Sequence, residues 1–451
     1  MTITEALEKK ARTNIVVLKF GGTSVATPEL IKAVARKVVN YVDRGKKVAV
    51  VVSAMGDTTD RLVDLAYQVS SNPDKREMDM LLSTGEQISI SLLAMAIKDL
   101  GYEAISMTGY QAGIKTDGVF TKAKIAGIDR ERILKELEKG KIVIVAGFQG
   151  IDEEMNITTL GRGGSDTSAV AVGAAVGADY VEIYTDVPGV FTADPRIVPT
   201  ARKIDFITYD EMLELARLGA KVLQVRSVEF AKRYGVPIHV RSTFSDEDGT
   251  LVADEEFLKE IGGDAMEQPV VRGVTAKSDE VRITLKKVPD RPGVAAEIFD
   301  ALASKEINVN LIVQSSSTVE AVNDVSFTIN ESDYNQAKEV VDELLEKLNA
   351  EGVDYDTNIA IVSIVGVGMR SHPGVAATMF RALAEKGINI QMISTSEITI
   401  SCVIDRARAS DATRAIHSAL GWMSHERKSF YIRHHSEGWS AGFRSFFQHE
   451  R

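Results

Sequence analysis

The stretch whose residue types most clearly suggest chemistry is 160–169, Leu-Gly-Arg-Gly-Gly-Ser-Asp-Thr-Ser-Ala. It joins glycines to a fixed cation, Arg162, and a carboxylate, Asp166, and the apolar segment 170–178 is typical of a helix packed on a sheet. Glycines let a ligand approach the backbone, arginine binds carboxylate or phosphate in a bidentate way, and a helix N-terminus attracts anions. A tight turn capped by Ser165 would leave Arg162 and Asp166 unexplained. We therefore predict an anion-binding loop.

A second candidate is Lys19, which ends an apolar run and precedes Gly21-Gly22. The loop at 161–166 starts like a dinucleotide fingerprint, but Asp166 occupies the third glycine position, and no P-loop motif occurs. No cysteine or serine stands out as a nucleophile with a partner base. A lysine beside a diglycine, a second glycine loop and scattered carboxylates suit phosphoryl transfer, where catalysis is mostly positioning and charge neutralisation.

Alternating strand and helix patterns must position these residues. Strands are predicted at 14–20, 47–52, 104–107, 142–146, 180–184 and 238–241, and helices from Thr27-Pro28, near 78–100, and at 129–138, 165–176 and 209–219. This order predicts βαβ units and a parallel sheet. Ligands of such sheets bind at the carboxyl ends of the strands. Lys19, Ser53, Gly147, Thr185 and Asp186 all fall at or just past such ends.

Composition limits the function classes. The 451 residues are 44% apolar and 26% charged, which predicts a soluble globular protein with two or three domains. A net charge of -11 argues against nucleic-acid partners. A single cysteine, Cys402, excludes internal disulfides and fits a reducing compartment. No apolar run of membrane-spanning length and no signal peptide are recognised, so a cytoplasmic location without membrane contact is expected.

The C-terminal half contains an internal repeat. Residues 292–308 (Pro-Gly-Val-Ala-Ala, Phe, Ala-Leu-Ala, Ile-Asn) recur without a gap at 373–389, and apolar strands flank each copy. Two small α+β modules are the natural interpretation. The expected domains are 14–245, an acidic linker at 246–269, modules at 270–350 and 351–420, and an irregular tail at 421–451 without chemical function.

These motifs together resemble the aspartokinase family, within the amino-acid kinase superfamily. The resemblance rests on 19–24 (KFGGTS), 53–59 (SAMGDTT), 84–86 (TGE), 147–150 (GFQG), 159–166 (TLGRGGSD) and 191–196 (FTADPR). The repeat is similar to the family's paired ACT domains. The resemblance implies an αβα sandwich with a largely parallel sheet, followed by two ferredoxin-like ACT modules. It also implies ATP-dependent phosphorylation of the aspartate β-carboxylate, the first step towards lysine, threonine and methionine.

The resemblance also implies residue roles. Lys19 would neutralise the transferring phosphoryl group, Lys221 would lie near the ATP phosphates, and Asp166 would hold both lysines in place. Arg162, helped by Thr59, would bind the substrate α-carboxylate, Glu86 its ammonium, and Ser165 would touch the substrate. ATP, with Mg²⁺ on its phosphates and no dedicated protein metal site, would contact Lys19, Phe20, Gly21, Gly22, Ser53, Thr185, Asp186, Phe191, Thr192, Ala193, Asp194, Pro195, Arg196 and Lys221.

Lysine, threonine or both are the effectors that the resemblance implies. Their pocket would be formed by Asp290, Arg291, Pro292, Gly293, Val294, Ala295, Asn308, Val309, Asn310, Gln314, Val375, Ala376, Asn389, Ile390, Ser396 and Glu397. Relatives often carry an acid where this chain has Asn310, so the choice of effector stays open. A homo-oligomer formed through the ACT domains is expected, and a short regulatory subunit starting at Met266 is possible.

Two alternatives remain open. A kinase for glutamate or acetylglutamate would share the fold, but Glu86 with Arg162 favours an unblocked amino acid and the paired repeat favours aspartokinase. A non-catalytic amino-acid sensor would have no reason to keep Lys19 and Asp166.

Overall fold

The structure, a computed structural model, describes residues 2–261, 270–315 and 321–421. The chain divides into two compact units. The first comprises Met1–Phe191, Lys203–Arg217 and Lys221–Ala265, and the second Thr192–Arg202, Leu218–Ala220 and Met266–Arg451. The tail predicted to be irregular lies outside the described residues apart from Gly421.

The first unit is built on an eight-stranded sheet. Its strands and those of a smaller sheet are β1 Ile15–Phe20, β2 Lys47–Val52, β3 Ala104–Met107, β4 Ile114–Thr116, β5 Ile125–Ile128, β6 Ile142–Ala146, β7 Gln149–Ile151, β8 Ile157–Thr159, β9 Tyr180–Thr185, β10 Phe206–Thr208, β11 Ile238–Ser242 and β12 Thr250–Ala253. The large sheet has the order β10-β12-β11-β9-β1-β2-β6-β3. It is parallel except at the junction of β11 and β12. The predicted largely parallel sheet is confirmed.

Helices cover both faces of this sheet. They are α1 Ile3–Lys10, α2 Pro28–Asp43, α3 Thr58–Val69, α4 Lys75–Leu82, α5 Thr84–Asp99, α6 Glu131–Glu138, α7 Gly164–Val176, α8 Tyr209–Arg217, α9 Val225–Tyr234 and α10 Glu255–Ile261. A Cβ at Gly173 of α7 would lie 2.5 Å from Val181, so α7 packs closely on that face of β9. The next residue of β9, Glu182, accepts a hydrogen bond from Tyr41 of α2. Successive strand residues point to opposite faces, so the unit is an αβα sandwich, as expected.

Two sequence-based expectations need correction here. The segment 246–269 is not simply a linker: within its described part, β12 joins the central sheet beside β10 and β11, and α10 follows.

The segment Lys75–Asp99 is long and apolar enough, by length and composition alone, to cross a membrane. Half of its most apolar window is buried inside the protein.

A four-stranded sheet, β5-β4-β7-β8, lies beside the main one and was missed by the sequence analysis. Its strands are three or four residues long, too short to show a periodicity. Its importance is positional, because β8 ends at Thr159, directly before the glycine loop that carries Arg162.

The second unit contains a six-stranded sheet, β14-β15-β13-β16-β18-β17. Its elements are β13 Gly273–Pro289, α11 Val294–Ser304, β14 Val309–Gln314, β15 Val322–Asn330, α12 Tyr334–Leu348, β16 Gly352–Val365, α13 Val375–Glu385, β17 Met392–Thr395, β18 Thr399–Asp405 and α14 Ala409–Leu420. The first module has the ferredoxin-like order β13-α11-β14-β15-α12-β16, as expected.

The division of the two modules at residue 350 is too simple. Glu280–Lys286 of β13 pair with Gly352–Ile359 of β16, whereas Gly273–Lys277 pair with Ile361–Val365. Val270, Val271 and Val274 belong to the hydrophobic core of the second module. Each module therefore borrows strand residues from the sequence assigned to the other, because β13 and β16 are long enough to serve both cores.

Candidate active site

Three loops meet at the carboxyl ends of neighbouring strands β1, β2 and β6. Gly56 N donates to Gly22 O (3.0 Å), Ser53 N to Phe20 O (3.1 Å), and Gly147 N to Val52 O (3.0 Å). A Cβ at Gly22 would lie 2.9 Å from Ala54 O. Glycine at this position is therefore required by the close approach of the second loop. Ser53 and Gly147, two of the residues expected at strand ends, therefore lie in adjoining loops.

Lys19 of β1 and Asp166 of α7 form an ion pair at the floor of this region. Lys19 Nζ lies 2.6 Å from Asp166 Oδ1, and the two side chains are only 11% and 10% exposed. Asp166 lies in the first turn of α7, where the positive end of the helix stabilises a carboxylate. A Cβ at Gly21 would lie 3.4 Å from Lys19 Nζ, so the diglycine borders the lysine. Phe20 stacks on Tyr184 at 4.7 Å and fixes the end of β1.

Glu86 is buried and incompletely satisfied. It is 2% exposed on α5, its Oε1 accepts from Ala54 N at 3.1 Å, and its Oε2 is buried without a hydrogen-bond partner among the described residues. Burial raises the pKa of Glu86 to about 7, an effect opposed by hydrogen bonds from the backbone N–H groups of Glu86 and Ala54. A buried carboxylate oxygen without a partner is costly, so this oxygen is suited to a cationic ligand group.

The glycine loop ahead of α7 separates an exposed cation from buried polar groups. Gly163, with φ at 72°, is the N-cap residue of α7, and Ser165 lies inside the helix instead of capping it. Ser165 faces Gly147, where an added Cβ would lie 2.8 Å from its Oγ. Arg162 is exposed and forms no ion pair with any residue in the described part of the chain. Its guanidinium is therefore available to an anion.

The remaining predicted residues of the first unit are less constrained. Thr59 lies half-buried in the first turn of α3, after the β2 loop. Thr185 ends β9, and its hydroxyl donates to Asp186 Oδ1 at 3.0 Å. Lys221 lies exposed in the turn between α8 and α9. Lys221 forms no ion pair with Asp166, whose ion-pair partner is Lys19, and the role of Lys221 stays a prediction.

The predicted nucleotide loop, 191–196, is divided between the units. Phe191 pairs with Lys203 in an isolated bridge of the first unit, whereas Thr192–Arg202 belong to the second. Thr192 O accepts from Val274 N at 2.8 Å, and its hydroxyl lies 3.1 Å from His417 Nε2. Asp194 pairs with Arg196 at 2.7 Å, and Ala193 is buried.

Both units of this chain are similar to known proteins. Residues 14–242 match the model of the amino acid kinase family, and 285–345 with 362–420 match an ACT domain. The chain is 51% identical over 407 residues to an aspartate kinase of Stutzerimonas stutzeri strain A1501, an alignment covering 90% of this chain and 97% of the relative. The chain belongs to the aspartokinase family. The fold, the ACT domains and the aspartate kinase activity expected from the sequence are thereby confirmed.

Solved structures of the aspartokinase family agree. E. coli aspartokinase III in complex with aspartate and ADP (R-state) is 27% identical, with a TM-score of 0.76 over 90% of this chain and 99% of that chain. The same enzyme in complex with lysine and aspartate (T-state) gives a TM-score of 0.67, at 27% identity over 90% and 100%.

Within the second unit, the predicted effector residues come from both ACT modules. Gly293 and Gly374, with φ at 97° and 100°, are the N-cap residues of α11 and α13 and so occupy equivalent positions. Leu311 and Val313 of β14 pack on a core that includes Met392 of β17, so the outer strands of the sheet approach each other. The edges that carry Asn310 and Gln314 in one module and 392–397 in the other are therefore neighbours.

Individual effector residues differ in their freedom. Asn310 Nδ2 donates to Glu280 Oε1 at 2.6 Å, and Arg291 pairs with Glu297 at 3.0 Å. Ser396 Oγ lies 2.7 Å from Thr399 Oγ1. Asp290 donates its backbone N–H to Ala321 O at 2.8 Å, and its exposed carboxylate makes no ion pair with a described residue. The Asp290 carboxylate is therefore available to an effector ammonium.

Two residues missed by the sequence analysis support the glycine loop. Asp79 of α4 accepts hydrogen bonds from Thr121 and Thr159, and Arg226 of α9 donates to Leu160 O and Ala123 O. They lie 80 and 66 residues from their partners in the glycine loop. No local motif in a single sequence marks such contacts.

Proposed function

We propose that the Lys19–Asp166 pair is the phosphoryl-transfer centre of this aspartate kinase. Support comes from one observation: a lysine held 2.6 Å from a carboxylate, nearly shielded from solvent, beside a diglycine at the strand ends. In the reaction, a β-carboxylate oxygen of aspartate forms a bond to the γ-phosphorus of ATP, and the bond from that phosphorus to the ADP oxygen breaks. The carboxylate attacks as an anion, so no general base is needed. Lys19 stabilises the negative charge on the phosphoryl oxygens.

Substrate recognition divides between an exposed cation and a buried anion. Arg162 binds the α-carboxylate of aspartate. Thr59 helps Arg162 to bind this carboxylate, and Ser165 also contacts the substrate. Glu86 accepts the α-ammonium on its unpartnered Oε2. The support is the charge pattern, because an amino acid presents the complementary pair of charges. This pattern disfavours acetylglutamate, which has no ammonium.

For the nucleotide, we assign the contacts to Lys19–Gly22, Ser53, Thr185, Asp186 and Lys221, together with the 191–196 loop. The described residues contain no group of three or more His, Cys, Asp or Glu side chains that could hold a metal ion. Mg²⁺ bound mainly through nucleotide phosphates fits this donor set, and it supplies further charge neutralisation to the transferring group.

The ACT unit provides regulation in this proposal. Lysine, threonine or both bind between the two ACT modules. Asp290 accepts the effector ammonium, and the N-terminus of α11 attracts the effector carboxylate. The chain forms a homo-oligomer through the ACT domains in this proposal. A cytoplasmic location and a short subunit starting at Met266, which lies outside the described residues, complete the proposal.

The test is ATP consumption by the purified chain with aspartate, glutamate or acetylglutamate as the acceptor. The proposal predicts turnover with aspartate far above turnover with either other acid. Equal turnover with glutamate would contradict the substrate assignment, and no turnover with any acceptor would favour a sensor.

A further inference from the structure

Asp79 is a fully buried carboxylate that is not among the residues assigned to the substrate or the nucleotide. Its Oδ2 accepts from Thr121 N and Thr159 N, both at 2.9 Å, and its Oδ1 accepts from Thr159 Oγ1 at 2.6 Å. Thr121 has φ at 68°, a conformation that a β-branched residue rarely adopts. One side chain therefore joins two separate loops and accepts a backbone N–H from each.

Arg226 holds the same two loops by their carbonyl groups. Its Nη1 donates to Leu160 O at 2.6 Å, and its Nη2 donates to Ala123 O at 2.9 Å. The planar guanidinium can bridge two carbonyls in a fixed geometry that a lysine cannot reproduce. Asp79 and Arg226 thus take complementary roles, one binding the donors and the other the acceptors of the paired loops.

The two loops are also joined directly. Ala123 N donates to Thr159 O at 2.9 Å, and a Cβ at Gly161 would lie 3.1 Å from Thr121 O. On the far side, a Cβ at Gly163 would lie 2.0 Å from Gln224 Cγ. The backbone on either side of Arg162 is therefore confined, although the Arg162 side chain has no ion-pair partner among the described residues.

We propose that Asp79 and Arg226 are positioning residues for aspartate binding, acting through the backbone that carries Arg162. This rests on the proposed role of Arg162 as the carboxylate clamp. A bidentate clamp depends on the direction of its guanidinium, and the Arg162 side chain has no hydrogen bond or ion pair with a described residue to set that direction. Its direction is inherited from the 159–163 backbone, which Asp79 and Arg226 fix.

The test compares substitutions of Asp79 in the full chain. Asp79→Ala removes all three hydrogen bonds and is expected to raise the KM for aspartate roughly 10- to 100-fold, the scale of misplaced binding groups. Asp79→Asn can still accept from both N–H groups through its oxygen and donate to Thr159 Oγ1. The Asn variant is expected to restore a KM close to that of the parent, and neither variant should change the KM for ATP more than about twofold.

Asp152→Ala is the matched control. Asp152 also uses its carboxylate to accept loop N–H groups, from Glu154 at 3.0 Å and Asn156 at 2.8 Å, but it does so at the opposite end of the β7–β8 hairpin. It should lose thermal stability without a change in the KM for aspartate. An equal rise in KM for Asp152→Ala and Asp79→Ala would overturn the inference, since general loosening of the hairpin would then suffice.

Arg226→Met gives an independent measurement if Asp79→Ala does not fold, because Arg226 is only half-buried. It should raise the aspartate KM in the same direction, and Arg226→Lys should not restore it. Combined with Arg162→Ala, neither substitution should raise the KM further. If Arg162→Ala raises the KM but Asp79→Ala and Arg226→Met do not, the inference alone fails. An unchanged KM in Arg162→Ala would contradict both the clamp and this inference.

Discussion

Lys19 Nζ and Asp166 Oδ1 lie 2.6 Å apart although they belong to a strand and a helix 147 residues apart in sequence. Burying an ion pair offers little net stability, because desolvation offsets the attraction between the charges. Its presence at the junction of three strand-end loops is therefore best explained by the charge of the ligand.

Lys19→Ala should lower kcat by about two to three orders of magnitude, the loss typical of one preorganised charge-stabilising donor. The KM for aspartate should change far less, since the lysine acts on transition-state charge. Steady-state kinetics measure both constants. Lys141→Ala, which removes a lysine paired with Glu136 at 2.7 Å elsewhere in the unit, should keep parent kinetics. A Lys19 variant with normal turnover would exclude Lys19 from catalysis.

Arg162→Ala should raise the KM for aspartate about 10- to 100-fold, corresponding to the loss of charged hydrogen bonds worth about 1.5–3 kcal/mol. Saturation curves for aspartate at fixed ATP measure the change. Arg130→Ala is the control, because Arg130 donates to Ala175 O at 2.9 Å near the other end of α7. An aspartate curve identical to that of the parent would place Arg162 on the nucleotide side or in a structural role.

Aspartate binding should weaken as the pH falls through about 7. Burial raises the pKa of Glu86 to about 7, so acid protonates the carboxylate and removes its attraction for the substrate ammonium. Glu86→Gln should raise the KM at pH 8 and abolish this dependence between pH 6 and 8. The measurement is aspartate KM against pH for both proteins. A parent KM that stays constant across this range would argue against the ammonium site.

The raised pKa of Glu86 also makes the stability of the protein depend on pH. A folded-state pKa raised above the unfolded value means that the folded state binds more protons, so stability falls as pH rises from about 4.5 to 7. Glu86→Gln should therefore show a higher Tm than the parent at pH 8 and little difference at pH 4.5. Thermal unfolding at the two pH values checks this, and an unchanged difference between them would contradict it.

The sequence predicted most of the first unit because its strands are buried on both faces. Val16, Val17 and Leu18 of β1 are fully buried and read as one apolar run, as do the central residues of β2 and β6. Thr27 accepts from Leu30 N at 3.3 Å and caps α2 as its position before Pro28 predicted. The strand-end loops could be placed once the strands were known.

The features that escaped prediction depend on contacts distant in sequence. Strand β12 is only four residues long within an acidic segment, and its place beside β11 is set by the sheet. The exchange of strand residues between the ACT modules follows from the length of β13, which runs past one core into the other. Asp79 and Arg226 act on loops that no sequence motif connects to them.

Asp290→Ala should blunt inhibition by lysine or threonine and leave uninhibited turnover close to normal. The physical reason is loss of the carboxylate for the effector ammonium, since an effector acts only through unequal affinity for two states. Activity is measured against rising lysine and threonine, singly and combined. Asp300→Ala, an exposed acid on α11, is the control. The same measurement on a chain stopped at Leu420 tests whether the tail affects inhibition. If neither amino acid changes the activity of the parent, the repeat is an assembly interface and not a regulatory site.

The central claim is that the Lys19–Asp166 centre phosphorylates the aspartate β-carboxylate. The most direct test incubates the parent chain with ATP, Mg²⁺, aspartate and hydroxylamine, which traps an acyl phosphate as its hydroxamate. The account predicts aspartate β-hydroxamate in an amount equal to the ADP formed, and almost none with Lys19→Ala. ADP formation without hydroxamate, or equal hydroxamate from the Lys19 variant, would contradict it.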